Sequence, residues 1–340
     1  MSPHLWFELG RSFPRAPIVP GFVLRQDFVI SIALVVALVL TVRSRRWLVV
    51  SVVLIVVLVL LDQTRLQPWV YQYAIMLALL AFTEKVVWAA NQFVVAALYF
   101  WSGLHKLSWS FVHDVAPRLI AIHLSPRALT MAAFAIAICE TSIGIGLLFG
   151  RTRRVAVIVA CVMHTVILLT LIMVRLNTIV WPWNVAMMVI TVMLFYRRDQ
   201  SPFQALRRNH LPKVAVLVCG LLPVLSFVGW WDLYLSGALY SGKSPVAVMR
   251  MSESLRDRLP TPARGTTFKT SRGELMLPLF EWSSSELNVP PYPEVRVYRE
   301  IARQLCALDL SSNANALIIK GQPSLIDGSA SVTVTSCSEL

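Results

Sequence analysis

The chain has 340 residues, of which 56% are hydrophobic and only 14% charged, against about 25% charged in an ordinary soluble domain. That balance excludes a soluble globular protein and points to an integral membrane protein. The formal charge of +13 would suit a nucleic-acid binder, but the cations sit in short clusters between apolar runs: Arg43, Arg45 and Arg46; Arg151, Arg153 and Arg154; Arg197, Arg198, Arg207, Arg208 and Lys213. This is the pattern of loops held on the cytoplasmic side, so the charge encodes topology and no nucleic-acid partner is expected.

In chain order, Trp6, Phe7, Glu8 and several prolines come first, and no apolar run arrives before Phe28. With no small-residue cleavage site after that run, residues 1–27 read as a retained, interfacial leader and not as a cleaved signal. Apolar runs follow at 28–42, 47–61, 69–82, 86–104, 128–149, 155–174, 178–196 and 214–231. A span takes roughly 17 to 25 residues, so these predict about eight transmembrane helices over 28–231. The third run is short, and the first two also fit the arms of a tight hairpin. The basic clusters after the first, fifth and seventh runs share one face if every run spans once, and that face is assigned to the cytoplasm. Both termini then lie outside, as do the loops carrying Arg65, Lys106 and Arg175.

From Asp232 to Leu340 the chain turns polar and proline-punctuated, with a helix predicted over 294–308 and short strands over 316–320 and 329–335. The expected fold is an all-α polytopic membrane helical bundle with a small extracytoplasmic α+β domain over 232–340, in the bacterial cytoplasmic membrane. Cys306 and Cys337 could pair in that compartment. Cys139, Cys161 and Cys219 lie singly inside apolar runs and read as small hydrophobes. His105, His113 and His123 share no helical face, and no metal site is expected.

A charge at mid-bilayer costs about 2.5 to 3.5 kcal/mol, so each one needs a partner, a cavity or a task. Lys106 follows the apolar, aromatic segment 97–105. Either it snorkels to the headgroups with Tyr99, Trp101 and Trp109 as interfacial anchors, or it faces a polar cavity as a base or anion-holding group. Glu140 and His164 sit near the middle of consecutive runs, at matching depths of roughly 15 to 18 Å from the outer face. A hydrogen bond between them would either lock two helices together or form a proton-handling pair. Asn184, below Trp181, Pro182 and Trp183, is either a helix-packing amide or a donor lining a pocket. In the polar stretch 62–73, Asp62 and Arg65 could pair at the surface, while Gln72 carries its amide into the third span. Ser142 and Gly146, with Gly144 between, have the small-xxx-small spacing of close helix packing. Glu84 and Lys85 read as a solvated turn.

The segment Tyr99-Phe100-Trp101-Ser102-Gly103-Leu104-His105-Lys106-Leu107 resembles the membrane domain of vitamin K-dependent gamma-carboxylase-like proteins, the HTTM family. Residues 65–69 also resemble segments of its bacterial members. That resemblance implies that Lys106 is the base that deprotonates a reduced quinone. The run Ser102 to Leu107, and Glu140 with Gly144, Gly146 and Gly150 before a basic turn, equally resemble the DoxX and MauE group of redox-associated membrane proteins. The resemblance spans about 63–196 at most, and the C-terminal segment of about 100 residues does not accommodate the carboxylase's large luminal domain, so glutamate carboxylation is not expected.

The leading expectation is a polar pocket in the outer leaflet for a quinone or other lipid-like molecule. Lys106 would be base or anion-stabilising cation, Glu140 and His164 a proton relay, and Arg65, Gln72, Asn184 and Trp181 the substrate-binding groups. The alternative is a non-catalytic scaffold or accessory subunit whose external domain docks a redox or secreted partner.

Overall fold

The computed structural model describes residues 2–19, 27–82, 87–120, 124–174, 177–196, 210–309 and 314–340. Glu84, Lys85, His123, Arg175, Arg197, Arg198, Arg207 and Arg208 lie outside the described residues.

The molecule is mostly helical, and each apolar run contains a helix. Helices α1 (Asp27–Leu40), α2 (Arg46–Leu61) and α3 (Pro68–Leu80) are short, and α4 (Val87–His105), α5 (Pro126–Leu148) and α6 (Gly150–Met173) are long. After these come α7 (Trp181–Phe195) and α8 (Lys213–Val228). Among the described residues four segments are long and apolar enough to cross a membrane: α4, α5, α6, and α7 with its preceding turn, Thr178–Phe195. Proline opens α3 and α5 and lies in the first turn of α7, where its missing N–H costs no helical hydrogen bond.

Helix α4 is the axis of the bundle and is buried over most of its length. Its approach to α5 is close because glycine stands on both sides. A Cβ on Gly103 would fall 2.3 Å from the Thr141 backbone nitrogen, and one on Gly144 would fall 2.5 Å from that of Phe100. Gly146 faces α6 instead, at 3.0 Å from the Ala156 Cβ. Helix α6 begins at Gly150, and the expected loop 150–154 is its first turn. Arg153 is buried there and donates to the Leu147 carbonyl at 3.0 Å, satisfying the end of α5.

The C-terminal region forms a five-stranded antiparallel sheet in the order β2-β3-β1-β4-β5. Its strands are β1 (Val246–Met251), β2 (Phe268–Lys269), β3 (Leu275–Pro278), β4 (Ala316–Lys320) and β5 (Val332–Ser336), with helices α9 (Leu279–Leu287) and α10 (Val295–Cys306). Residues Ala247, Met249 and Met251 of β1 alternate into the core. A disulfide joins Cys306 to Cys337 with Cα atoms 5.6 Å apart; closing a loop of that length stabilises by about 4 kcal/mol in the chain-entropy treatment.

The described part of the leader, residues 2–19, packs into the fold. Leu5, Trp6, Phe13 and Ala16 are buried in one apolar cluster with Leu58 of α2 and Trp282 of α9. Glu286 accepts from the backbone nitrogen of Phe13 at 2.8 Å and from the Ser12 hydroxyl at 2.6 Å, so the chain's beginning is built into its end. Burial pushes the Glu286 carboxyl up, but these hydrogen bonds outweigh it and hold the group below its usual range.

Candidate functional site

Tyr99 and Ser102 of α4 and Lys106, the residue just past its end, are separated by three and four residues, which places them on one side. Lys106 is 7% exposed and does not snorkel. Its Nζ donates to Glu140 Oε2 at 2.6 Å, to Ser102 Oγ at 2.8 Å and to the Ser102 carbonyl at 3.2 Å. Three N–H bonds meet three acceptors, so the ammonium is saturated. The Gly103 and Gly144 contacts allow this pairing, because they bring the α4 and α5 backbones within van der Waals range.

The expected hydrogen bond between Glu140 and His164 is not made. His164 is buried on α6, its Nε2 at 2.8 Å from the Tyr99 hydroxyl and its Nδ1 at 2.8 Å from Asn184 Oδ1. The Asn184 amide nitrogen donates to the Val180 carbonyl at 2.9 Å, so its oxygen faces the ring and accepts from Nδ1–H. Nε2 then accepts from Tyr99, whose oxygen lies 3.1 Å from Thr191 Oγ1. This network closes on itself around a neutral imidazole with its proton on Nδ1. Both residues meet α4, Glu140 through Lys106 at its end and His164 through Tyr99 seven residues earlier. Their directions differ: Glu140 turns to the end of α4, and His164 to α7 and the middle of α4. Glu140 and Lys106 nevertheless remain within electrostatic reach of the imidazole. Tyr99 and Trp101, expected as interfacial anchors, are 2% and 5% exposed.

Arg65 does not join this site. Fully buried, it donates to the Leu5 and Leu58 carbonyls at 3.0 and 3.1 Å and pairs with Asp27 and Glu8. Asp62, expected as its surface partner, instead binds Arg11 at 2.6 Å and accepts from the backbone nitrogens of Ala16 and Thr64. Burial raises the Asp62 carboxyl, yet Arg11 and Arg65 prevail and keep it below its usual range. These groups fasten the leader to α1 and α2.

Gln72 accepts from Trp183 Nε1 at 2.8 Å and places its Nε2 3.1 Å from the Met187 sulfur. It lines a narrow crevice of about 30 Å³, room for one or two waters, between α3, α4, α8 and residues 234–237. Tyr71, Ile75, Leu98 and Trp101 line the same crevice. Trp181 is half-buried against the bundle at the start of α7, away from this lining. Among the described residues no group of three or more histidine, cysteine or acidic side chains is placed to hold a metal.

Lys243 is the group that sequence reasoning missed. It is 1% exposed, 3.3 Å from His105 Nδ1, with Nζ 3.9 Å from the Phe227 ring centroid. Burial pulls its ammonium down to about 8. Between α8 and β1, Lys243 looks like any loop lysine. Its one signal is the preceding Gly242, whose φ of +71° and whose 2.9 Å approach to the Ser110 Cβ let the loop press inward.

Comparison with models of known families, with curated proteins and with solved structures found no match.

Proposed function

We propose that this chain is a polytopic membrane protein whose intramembrane polar site, centred on Lys106 and Glu140, serves quinone- or lipid-linked proton transfer of the kind the HTTM and DoxX resemblances imply. In this reading all eight apolar helices span, and the sheet domain lies on the extracytoplasmic side. The Cys306–Cys337 bond supports that side, since such bonds persist in oxidising compartments. The observation that carries the reading is the buried Lys106–Glu140 pair, set in the segment that carries the resemblance.

The nearby crevice is lined by apolar and aromatic side chains with the Gln72 amide and the Ser236 hydroxyl, but at about 30 Å³ it is too narrow for a quinone as it stands, so the reading rests on the Lys106–Glu140 pair and not on this crevice. A quinone, when bound, would supply a two-electron carrier with ionisable ring oxygens. The protein's part follows from the saturation of Lys106. Its Nζ is a held cation that stabilises a developing oxyanion, while Glu140 is the member of the pair that can accept a proton. For Lys106 to be the base, its own proton must first pass to Glu140 Oε2 across their 2.6 Å N···O hydrogen bond. Replacing Lys106 by alanine should abolish quinone-dependent redox activity in membranes, and mass spectrometry of the purified protein should find a retained quinone or lipid. Full activity in the alanine variant would remove the proposed role.

A second reading is favoured by the closed Tyr99–His164–Asn184–Thr191 network, which satisfies itself as a packing lock would. On this reading the chain is a scaffold or accessory subunit, and the sheet domain docks a redox or secreted protein. Full function with Glu140 and His164 jointly replaced by neutral polar residues, and purification without a bound quinone, would select it.

A further inference from the structure

Between the C-terminal half of α5 and the first turns of α6 runs an open groove of about 490 Å³, a volume that small-molecule sites commonly have. Ile143, Gly146 and Ala156 form its floor, and Ile145, Phe149 and Val155 its rims. The trough exists because Ser142 and Gly146, one turn apart on the same face of α5, carry almost no side chain where a leucine would fill it. The rim residues are 45%, 53% and 63% exposed, so among the described residues nothing covers them.

The groove ends at the turn into α6, where Arg151 and Thr152 line it. Two side chains of this turn are spent on α5: the Thr152 hydroxyl donates to the Gly146 carbonyl at 2.9 Å, and Arg153 to those of Leu147 and Leu148 at 3.0 and 3.4 Å. Arg151 is exposed, as is Arg154 three residues on, which shares its side of the helix. Neither makes an ion pair among the described residues. Phe149, the residue before α6, offers no side-chain cap, so the positive end of that helix adds to the same mouth.

Length, apolarity and charge together name the occupant. Along α5 the groove runs from Cys139 to Phe149, about 15 Å at 1.5 Å per residue, which is half of a hydrocarbon core of roughly 30 Å. Its walls are mostly apolar over that length and its one charge sits at the end, as a molecule with a fatty chain and an anionic head requires. A second copy of the chain is the poorer fit. Copies in one membrane share its orientation, so a two-fold interface through this face would set Arg151 and Arg154 against their own images, and like charges so placed oppose association.

We propose that this groove binds a phospholipid of net negative charge, one acyl chain lying in the trough and the headgroup phosphate held by Arg151 and Arg154. The basic turn then fixes a lipid as well as an orientation. The inference goes beyond the reading above and uses neither Lys106 nor Glu140; it requires only that α5 and α6 lie in a bilayer.

The test titrates the whole protein in neutral detergent with dioleoyl phosphatidylglycerol, dioleoyl phosphatidylcholine and glycerophosphate, and counts bound molecules by native mass spectrometry. A basic side chain at an anionic lipid surface is worth about five-fold in affinity, so two arginines should make the wild type prefer phosphatidylglycerol to phosphatidylcholine by about 30-fold. Arg151→Gln combined with Arg154→Gln should cut that preference to about five-fold or less, the share left to the helix end. Ser142→Phe fills the trough and should weaken both lipids by about ten-fold, the worth of roughly two buried methylene groups. Ser142, Arg151 and Arg154 are all exposed, so neither variant should lower the unfolding temperature. Equal wild-type affinity for the two lipids overturns the proposal whatever the variants do, as does undiminished binding to Ser142→Phe or an unchanged preference in the arginine variant. Glycerophosphate binding as tightly as the lipid would make the arginines a free-phosphate site. A wild-type dimer that Ser142→Phe dissociates would make the groove an interface between copies, and either result overturns the lipid assignment.

Discussion

Removing one member of the Lys106–Glu140 pair is the sharpest perturbation the structure offers. At 2.6 Å and an effective dielectric of 20, the gross attraction is 332/(20 × 2.6), or about 6 kcal/mol. Desolvation of both ions offsets most of that, so the intact pair adds little net stability over an apolar pair of equal volume. Deleting one partner is different, because the other is left charged and buried among groups that cannot move to meet it. Glu140→Leu and Lys106→Met should therefore each cost about 3–5 kcal/mol, while the double replacement should fall near the wild type. Reversible unfolding by sodium dodecyl sulfate titrated into mild detergent, followed by tryptophan fluorescence, measures all four corners of the cycle. A coupling energy below about 0.5 kcal/mol, the scale at which independent sites add, would show that the two side chains do not interact and would refute the site as built here.

Three further outcomes are expected. Arg65→Met takes from the buried Asp27 its hydrogen-bond donor and leaves it only Arg15 at 3.5 Å, so it should cost about 3 kcal/mol, the low end for breaking a buried pair; trypsin should then cut within residues 2–19, and an unchanged digestion pattern would contradict their burial. Gly103→Ala places a methyl 2.3 Å from the Thr141 backbone nitrogen, so it should lower the unfolding temperature and break the Lys106 contact, whereas Gly150→Ala, which meets nothing within 4 Å, should not. Lys243 titrates at about 8 when folded against a usual 10.5. The unfolded chain therefore binds more protons between those values, and stability should rise across pH 8 to 10.5 by about 3 kcal/mol and lie flat below. Lys243→Met should remove that slope, as unfolding midpoints at each pH would show.

Hydrophobic periodicity made the bundle legible because a bilayer span is set by length and composition, both local properties. The eight apolar runs fall on the eight apolar helices, with the largest error where Arg151, Arg153 and Arg154 were read as a loop and are the first turn of α6. Paired basic residues mark a membrane edge, but they do not say whether the helix stops there. The sheet was less legible: β4 and α10 show clear periodicity, whereas β1, β3 and α9 are fixed by contacts with the leader and with each other. The sequence placed Glu140, His164 and Asn184 inside apolar helices, and the structure buries all three there, but rotation about the helix axis was not legible. One residue turns a helix by about 100°, and nothing local sets which neighbour a buried imidazole meets. Arg65 failed for another reason, since its acids lie 38 and 57 residues before it.

The three ion-handling clusters are charge-balanced to different degrees, and the degree follows their work. Around Arg65, three arginines meet Glu8, Asp27 and Asp62, and the result is a staple with nothing left to bind. Around His164 each side chain of the network has a hydrogen-bond partner, and the network ties α4, α6 and α7 together. At the end of α4, Lys106 is paired with Glu140, whereas Lys243 has His105 as its partner and no carboxylate among the described residues. Of the buried Arg65, Lys106 and Lys243, the first two each meet an acid and the third does not. That residue of positive charge, and not the shared depth of polar side chains, is the reason to look for chemistry there.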